Sequence, residues 1–156
     1  MSVTAPMPEP AAGRFIAAVH HFPVRVYFED TDLSGVVYHA NYLRYMERAR
    51  SDMLRVAGIN QRAAQEDGTG VYAVTSLHID YKRPARLDDD LMVESRVTAI
   101  RPVACTIHQR VRRGDEILTD GEVSVAFLND QGRPTRQPKP WTDIFSRLMR
   151  GEDINS

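Results

Sequence analysis

Apolar and polar residues alternate in five stretches of this chain, and between the first and second stretch the period changes to that of a helix. Val24, Val26 and Phe28 alternate with Arg25 and Tyr27, which reads as a short strand. From near Ala40, Leu43, Met46, Arg50, Met53, Leu54 and Ala57 fall on one stripe at helical spacing. Arg44, Glu47, Arg48, Ser51, Asp52 and Arg55 make the remaining faces polar, and Gly58 is a natural stop. Four longer alternating runs follow, at Val71–Tyr81, Leu91–Ala99, Val103–Val111 and Ile117–Phe127. Arg101-Pro102, Arg113-Gly114-Asp115 and Asn129–Gly132 supply turns, while Pro84 and Asp88-Asp89-Asp90 separate the first long run from the second. Trp141–Arg150 reads as a short closing helix after Pro138 and Pro140.

This order predicts an α+β fold in which a five-stranded antiparallel sheet wraps around one long central helix. The last three runs are close enough in sequence to form an antiparallel meander. Residues 21–150 form the single domain expected, preceded by a loose arm over 1–20 that is rich in Ala and Pro. One helix covers only one face of such a sheet. The uncovered apolar alternation and the open edges predict a homo-oligomer.

A chain of 156 residues with a net charge of −1 has no basic footprint for nucleic acid, and none is expected as a partner. No apolar stretch is long enough to span a membrane. The start, Met1–Pro10, lacks the pattern of a signal peptide. The single cysteine, Cys105, excludes an internal disulfide and suits a reducing compartment, so the cytoplasm is the expected location. His20-His21 has no companion ligands at metal-binding spacing, and no metal is expected.

The chemistry concentrates in the turn before the long helix. Asp30 and Asp32 lie there with Gly35, so a carboxylate precedes a helix N-terminus whose free N–H groups can receive developing negative charge. That pairing suits acyl transfer. The stretch Asp30-Thr31-Asp32-Leu33-Ser34-Gly35-Val36-Val37-Tyr38-His39-Ala40-Asn41-Tyr42 resembles the signature of the 4-hydroxybenzoyl-CoA thioesterase family of hotdog-fold enzymes. Glu47-Arg48-Ala49-Arg50 and Tyr81–Asp89 extend the likeness toward the acyl-CoA thioesterases associated with the bacterial Tol–Pal system. One departure is Leu33-Ser34, where relatives often carry Ala-Gly.

The resemblance implies that Asp32 is the catalytic carboxylate, acting as nucleophile or general base. It also implies that the backbone N–H of His39 polarises the thioester carbonyl. Tyr38, Asn41 and Tyr42 flank the same corner as candidates for lining the acyl pocket, and Glu47 is a further substrate-side candidate on the helix. Arg101 matches a position where the family places an arginine on CoA phosphate, with Arg83 and Arg86 as weaker candidates. The implied reaction takes an acyl-CoA and water to a free acid and CoA, with no cofactor, in a dimer or tetramer. Two other readings stand beside it. One is a hydratase or dehydratase acting on acyl thioesters on the same fold. The other is a non-catalytic protein of the cell envelope system that binds acyl-CoA or acyl carrier protein.

Overall fold

The computed structural model describes residues 4–155. In chain order the elements are β1 (Arg14–Ile16), β2 (Val19–Arg25), a single 3-10 turn (Phe28–Asp30), α1 (His39–Val56), α2 (Gln61–Glu66), β3 (Val71–Tyr81), β4 (Asp90–Ile100), β5 (Ala104–Arg113), β6 (Glu116–Leu128) and α3 (Lys139–Met149). Among the described residues the strands form one antiparallel sheet in the order β1-β2-β4-β5-β6-β3. The meander β4-β5-β6 is as expected, and the sheet wraps around α1 in the predicted way. It has six strands instead of five.

The sixth strand comes from the region read as a loose arm. Arg14–Ile16 pairs with Val19–His21 across a tight turn at Ala17-Ala18, where φ is 52° and 61°. L-residues enter this left-handed region at a cost, and a two-residue hairpin turn ordinarily signals itself with Asn or Gly. Neither is present here, so the sequence gives no hairpin signal. The turn is held from outside instead. The Asp153 carboxylate accepts the Ala18 N–H at 2.5 Å, and the Asn155 side chain accepts the Phe15 N–H at 2.7 Å. The strand read at Val24–Phe28 is displaced for a related reason. It starts at Val19 and ends at Arg25, because the Asp30 carboxylate accepts the Tyr27 N–H at 2.9 Å and turns the chain out of the sheet.

Helix α1 lies on the sheet through Tyr42, Tyr45, Met46, Ala49, Met53 and Val56, all buried. The stripe is therefore rotated toward two tyrosines that the sequence reading left out, and Arg50 sits at its margin, half-buried. Asp52, read as a solvent-facing residue, is buried against β2. Its carboxylate meets His20 Nε2 at 2.7 Å and accepts the Gly13 N–H at 2.8 Å. A Cβ on Gly13 would lie 2.3 Å from the His21 carbonyl, so only glycine lets the chain pass that close. Gly121 has the same function at the sheet centre, where a Cβ would meet Met46 Cε at 3.1 Å. Helix α3 begins at Lys139, two residues before the predicted start, because Pro140 fits the first turn of a helix.

Exchanging Ala17, which is exposed, for Gly relieves one of the two left-handed positions without removing packed atoms. Ala17→Gly should stabilise the fold by about 1 kcal/mol, allowing for the extra freedom glycine gives the unfolded chain. Differential scanning calorimetry should then show the thermal midpoint rising by roughly 2–4 °C. A lower midpoint would mean that the turn is not strained.

Candidate active site

After β2 the chain folds into a small hairpin that delivers it to α1. Thr31 and Val37 pair across this hairpin. Inside it the Asp32 N–H donates to the Val36 carbonyl at 2.9 Å, and the Gly35 N–H donates to the Asp32 carbonyl at 3.0 Å. Gly35 has φ of 81°, so this turn needs glycine. The hairpin is tied to the β3–β4 connection. Val36 pairs with Arg86, the Val37 N–H donates to the Ala85 carbonyl at 2.9 Å, and the Ala85 N–H donates to the Tyr42 hydroxyl at 2.9 Å. Tyr42 is therefore buried and serves as an anchor for the connection.

Asp32 sits at the tip of the hairpin and is exposed. One carboxylate oxygen, Oδ1, accepts both the Ser34 N–H at 2.9 Å and the Ser34 hydroxyl at 2.5 Å. The other oxygen, Oδ2, takes no donor among the described residues. The Ser34 hydroxyl, followed by its amide, holds the Asp32 carboxyl below the usual carboxylate range. Asp32 is thus ionised at neutral pH, with one oxygen fixed and the other open. A hollow lined by Phe28, Leu33, Gly35 and Leu87 surrounds it. Phe28 and Leu33 are strongly exposed there.

Helix α1 starts at His39, two residues after the hairpin closes. Its N-cap Tyr38 is extended, no side chain caps the first turn, and that turn holds no acidic residue. The leading N–H groups of the helix, including that of His39, are the donors that a helix start leaves without intrahelical partners. The dipole of eighteen helical residues stands behind them. The Tyr38 and His39 rings are in contact, with centroids 4.5 Å apart, and the Tyr81 hydroxyl donates to the His39 carbonyl at 2.9 Å. Asn41 is buried, and its Nδ2 donates to the Asp30 carbonyl at 2.8 Å, so it braces the hairpin. The same carbonyl accepts the Tyr38 N–H at 2.9 Å, which gives Asp30 a structural role.

The structure therefore gathers Asp32, Tyr38, His39, Asn41 and Tyr42 at one corner. Glu47 lies elsewhere, about 12 Å further along α1, at the mouth of a separate cavity between α1 and β3. Arg101 is further still. Arg25 pairs with Asp90, so the Asp32 hairpin lies at the first end of β4, while Arg101 follows its last residue. The two ends are roughly 35 Å apart along the strand. At its own end the Arg101 guanidinium donates to the Thr106 hydroxyl at 3.1 Å.

Comparison with known proteins places the chain in a family. The model of the thioesterase-like superfamily matches residues 26–147, which takes in the hairpin, α1 and strands β3 to β6. The chain belongs to the thioesterase-like superfamily. It is 41% identical over 128 residues to the acyl-CoA thioesterase YbgC of Haemophilus influenzae, covering 81% of this chain and 94% of that protein. The YbgC acyl-CoA thioesterase of Helicobacter pylori is 40% identical over 134 residues, covering 80% and 96%. A probable thioesterase of known structure from Bartonella henselae superposes with a TM-score of 0.73 at 36% identity, covering 77% of this chain and 99% of that one. The hotdog fold expected from the resemblance is the fold of the family to which the chain belongs.

Within this thioesterase-like corner the sequence reading missed two residues that touch the key groups. Tyr81 was read as the end of a strand and the start of a stretch carrying the likeness, with no site role, yet it closes over the start of α1. Ser34 was noted as a departure from relatives, and its position two residues after Asp32 is the spacing at which a side chain folds back on an Asx turn. If Asp32 must be ionised to react, activity is present above its folded pKa and lost as pH falls through that value. Ser34→Ala removes the leading cause of the depression. The acid limb of the kcat/KM–pH profile should therefore move to higher pH, in a range where circular dichroism shows the variant folded. An unmoved limb would separate Ser34 from the reacting carboxylate.

Proposed function

We propose that this protein hydrolyses the thioester of an acyl-CoA, with Asp32 as the reacting carboxylate and the His39 N–H polarising the carbonyl. The observation that carries the reading is the short hairpin that joins an ionised carboxylate, with one oxygen open, to the uncapped N-terminus of α1. The YbgC relatives, named as acyl-CoA thioesterases and matched over most of their length, support the same substrate class. The protein is an acyl-CoA thioester hydrolase. Asp32 either attacks the acyl carbon through Oδ2, giving an anhydride that water then opens, or takes a proton from an attacking water. In both routes the C–S bond breaks, one C–O bond forms from water, and the departing thiolate of CoA receives the proton. Charge that collects on the carbonyl oxygen faces the N–H groups and dipole of α1.

Asp32→Asn keeps the shape and removes the charge. It should lower kcat by roughly 10²-fold or more in a thiol-release assay while leaving the thermal midpoint close to that of the wild type. Near-normal turnover would remove Asp32 from the chemistry.

The assembly belongs to this proposal. Strand β3 is an edge strand with one neighbour, β6, and leaves Val71, Val74, Leu77 and Tyr81 exposed. We infer that a second copy covers this edge, forming a dimer that pairs again as a tetramer. Arg101, which its own Asp32 lies too far away to use, then serves the CoA phosphates of a site in another subunit. We infer a cytoplasmic enzyme, which a lone, unpaired and buried cysteine fits, and the resemblance of the Asp32 motif supplies the Tol–Pal system as its setting. Arg101→Ala should raise KM more than it lowers kcat, and should flatten the weakening of substrate binding by salt. Sedimentation of the wild type as a monomer, or an unchanged KM in the variant, would refute the shared site.

A further inference from the structure

The cavity between α1 and β3 has a volume of about 330 Å³, within the ordinary range for a small-molecule site. Its walls are apolar, formed by Met53, Leu54, Ile107, Val125 and Phe145 among others. Four polar residues also line it, Glu47, Arg50, Ser51 and Gln61. Arg50 is the unusual member. Its Nη1 donates to Gln109 Oε1 at 2.8 Å, and no carboxylate lies within 4 Å of the guanidinium among the described residues. A guanidinium carries five N–H donors; those on Arg50 beyond this bond have no protein acceptor among the described residues, and because the side chain is half-buried they are left to water at the cavity. Burial also works against its charge, with Glu47 the nearby carboxylate that partly compensates.

We propose that this cavity, which lies toward the Arg101 end of the sheet, receives the acyl chain of a thioester held at the Asp32 corner of the second copy seated on β3, and that Arg50 selects acyl groups bearing an oxygen at the end remote from the thioester. The proposal rests on the thioesterase reading. The physical reason is desolvation. A methyl-ended chain pushed into the cavity strips water from the Arg50 donors and returns nothing, which penalises binding. A hydroxyl or carboxylate at the chain end replaces that water, and a carboxylate also matches the planar fork of the guanidinium. Glu47 at the mouth is exposed, so its charge is screened by solvent and weighs less on an entering carboxylate than the half-buried cation does. Because the guanidinium is held in place by Gln109, the preference should appear at one chain length and fade on either side of it.

The test is a panel of acyl-CoAs from butanoyl to dodecanoyl, each with a methyl, a hydroxyl or a carboxyl end, assayed by thiol release with the wild-type protein. At the best length the oxygen-ended chains should exceed the methyl-ended chain by about tenfold or more in kcat/KM. A preference for the carboxyl end alone identifies an ion pair with Arg50, and a preference shared with the hydroxyl end identifies a hydrogen bond. In Arg50→Met the ratio should collapse to about one. Arg50 also supports Gln109, so this variant could fail to fold, in which case the wild-type ratios decide alone. Methyl-ended chains hydrolysed as well as the others at every length would overturn the assignment and leave the thioesterase reading standing. No hydrolysis of any acyl-CoA would instead defeat the thioesterase reading itself.

Discussion

The structure depends on how closely α1 approaches the middle of the sheet, and one buried side chain sets that approach. Gln109 on β5 is fully buried. Its amide nitrogen donates to the Met46 carbonyl in the middle of α1 and to the Ser95 hydroxyl on β4, both at 2.9 Å, and its oxygen accepts from Arg50. Every polar atom of the amide has a partner, which is the condition under which a buried polar group orders a core. The strand neighbour of Gln109 is Gly121, whose missing side chain makes room for Met46. The helix is therefore fixed along its axis as well as pressed onto the sheet, and the position of its N-terminus follows.

That fixed N-terminus is what the reading proposed for Asp32 relies on. Hydrogen bonds between the hairpin, the β3–β4 connection and Tyr42 place a carboxylate beside the helix start while leaving the start uncapped. Most helices satisfy their first N–H groups with a side chain from the N-cap. Here the N-cap is Tyr38, whose side chain makes no cap hydrogen bond, and the nearby carboxylate is engaged by Ser34 instead. The donors stay available for a substrate oxygen, and Asp32 stays ionised without neutralising them.

Several polar residues outside this corner have structural partners of their own. His20 pairs with the buried Asp52, and burial holds its pKa down despite that carboxylate. Cys105 is buried, its thiol is pushed up to about 11 by desolvation, and it donates to Gln137. Gln137 in turn accepts from Tyr72 and donates to the Arg101 and Ala104 carbonyls, closing the β4–β5 turn. Such a thiol is a packing group.

Alternation of side chains determined the sheet from sequence, because a strand that buries one face must repeat with period two. The four long strands, the central helix and the Asp32 turn were legible for that reason, and the spacing of the turn motif pointed to acyl transfer. The β1–β2 hairpin was not legible, because Ala17 and Ala18 are held in place by Asp153 and Asn155 from the far end of the chain. Asp52 looked like a surface charge, because a helical wheel shows which residues share a face and not what stands opposite them. Arg101 was matched to a CoA phosphate by resemblance, which carries no distance, and an extended strand takes it to the end of the sheet opposite Asp32. Local period and turn chemistry are properties of a few neighbouring residues, so the sequence alone determined them. Partners separated by a hundred residues meet only when the chain has closed, and those the tertiary structure decided.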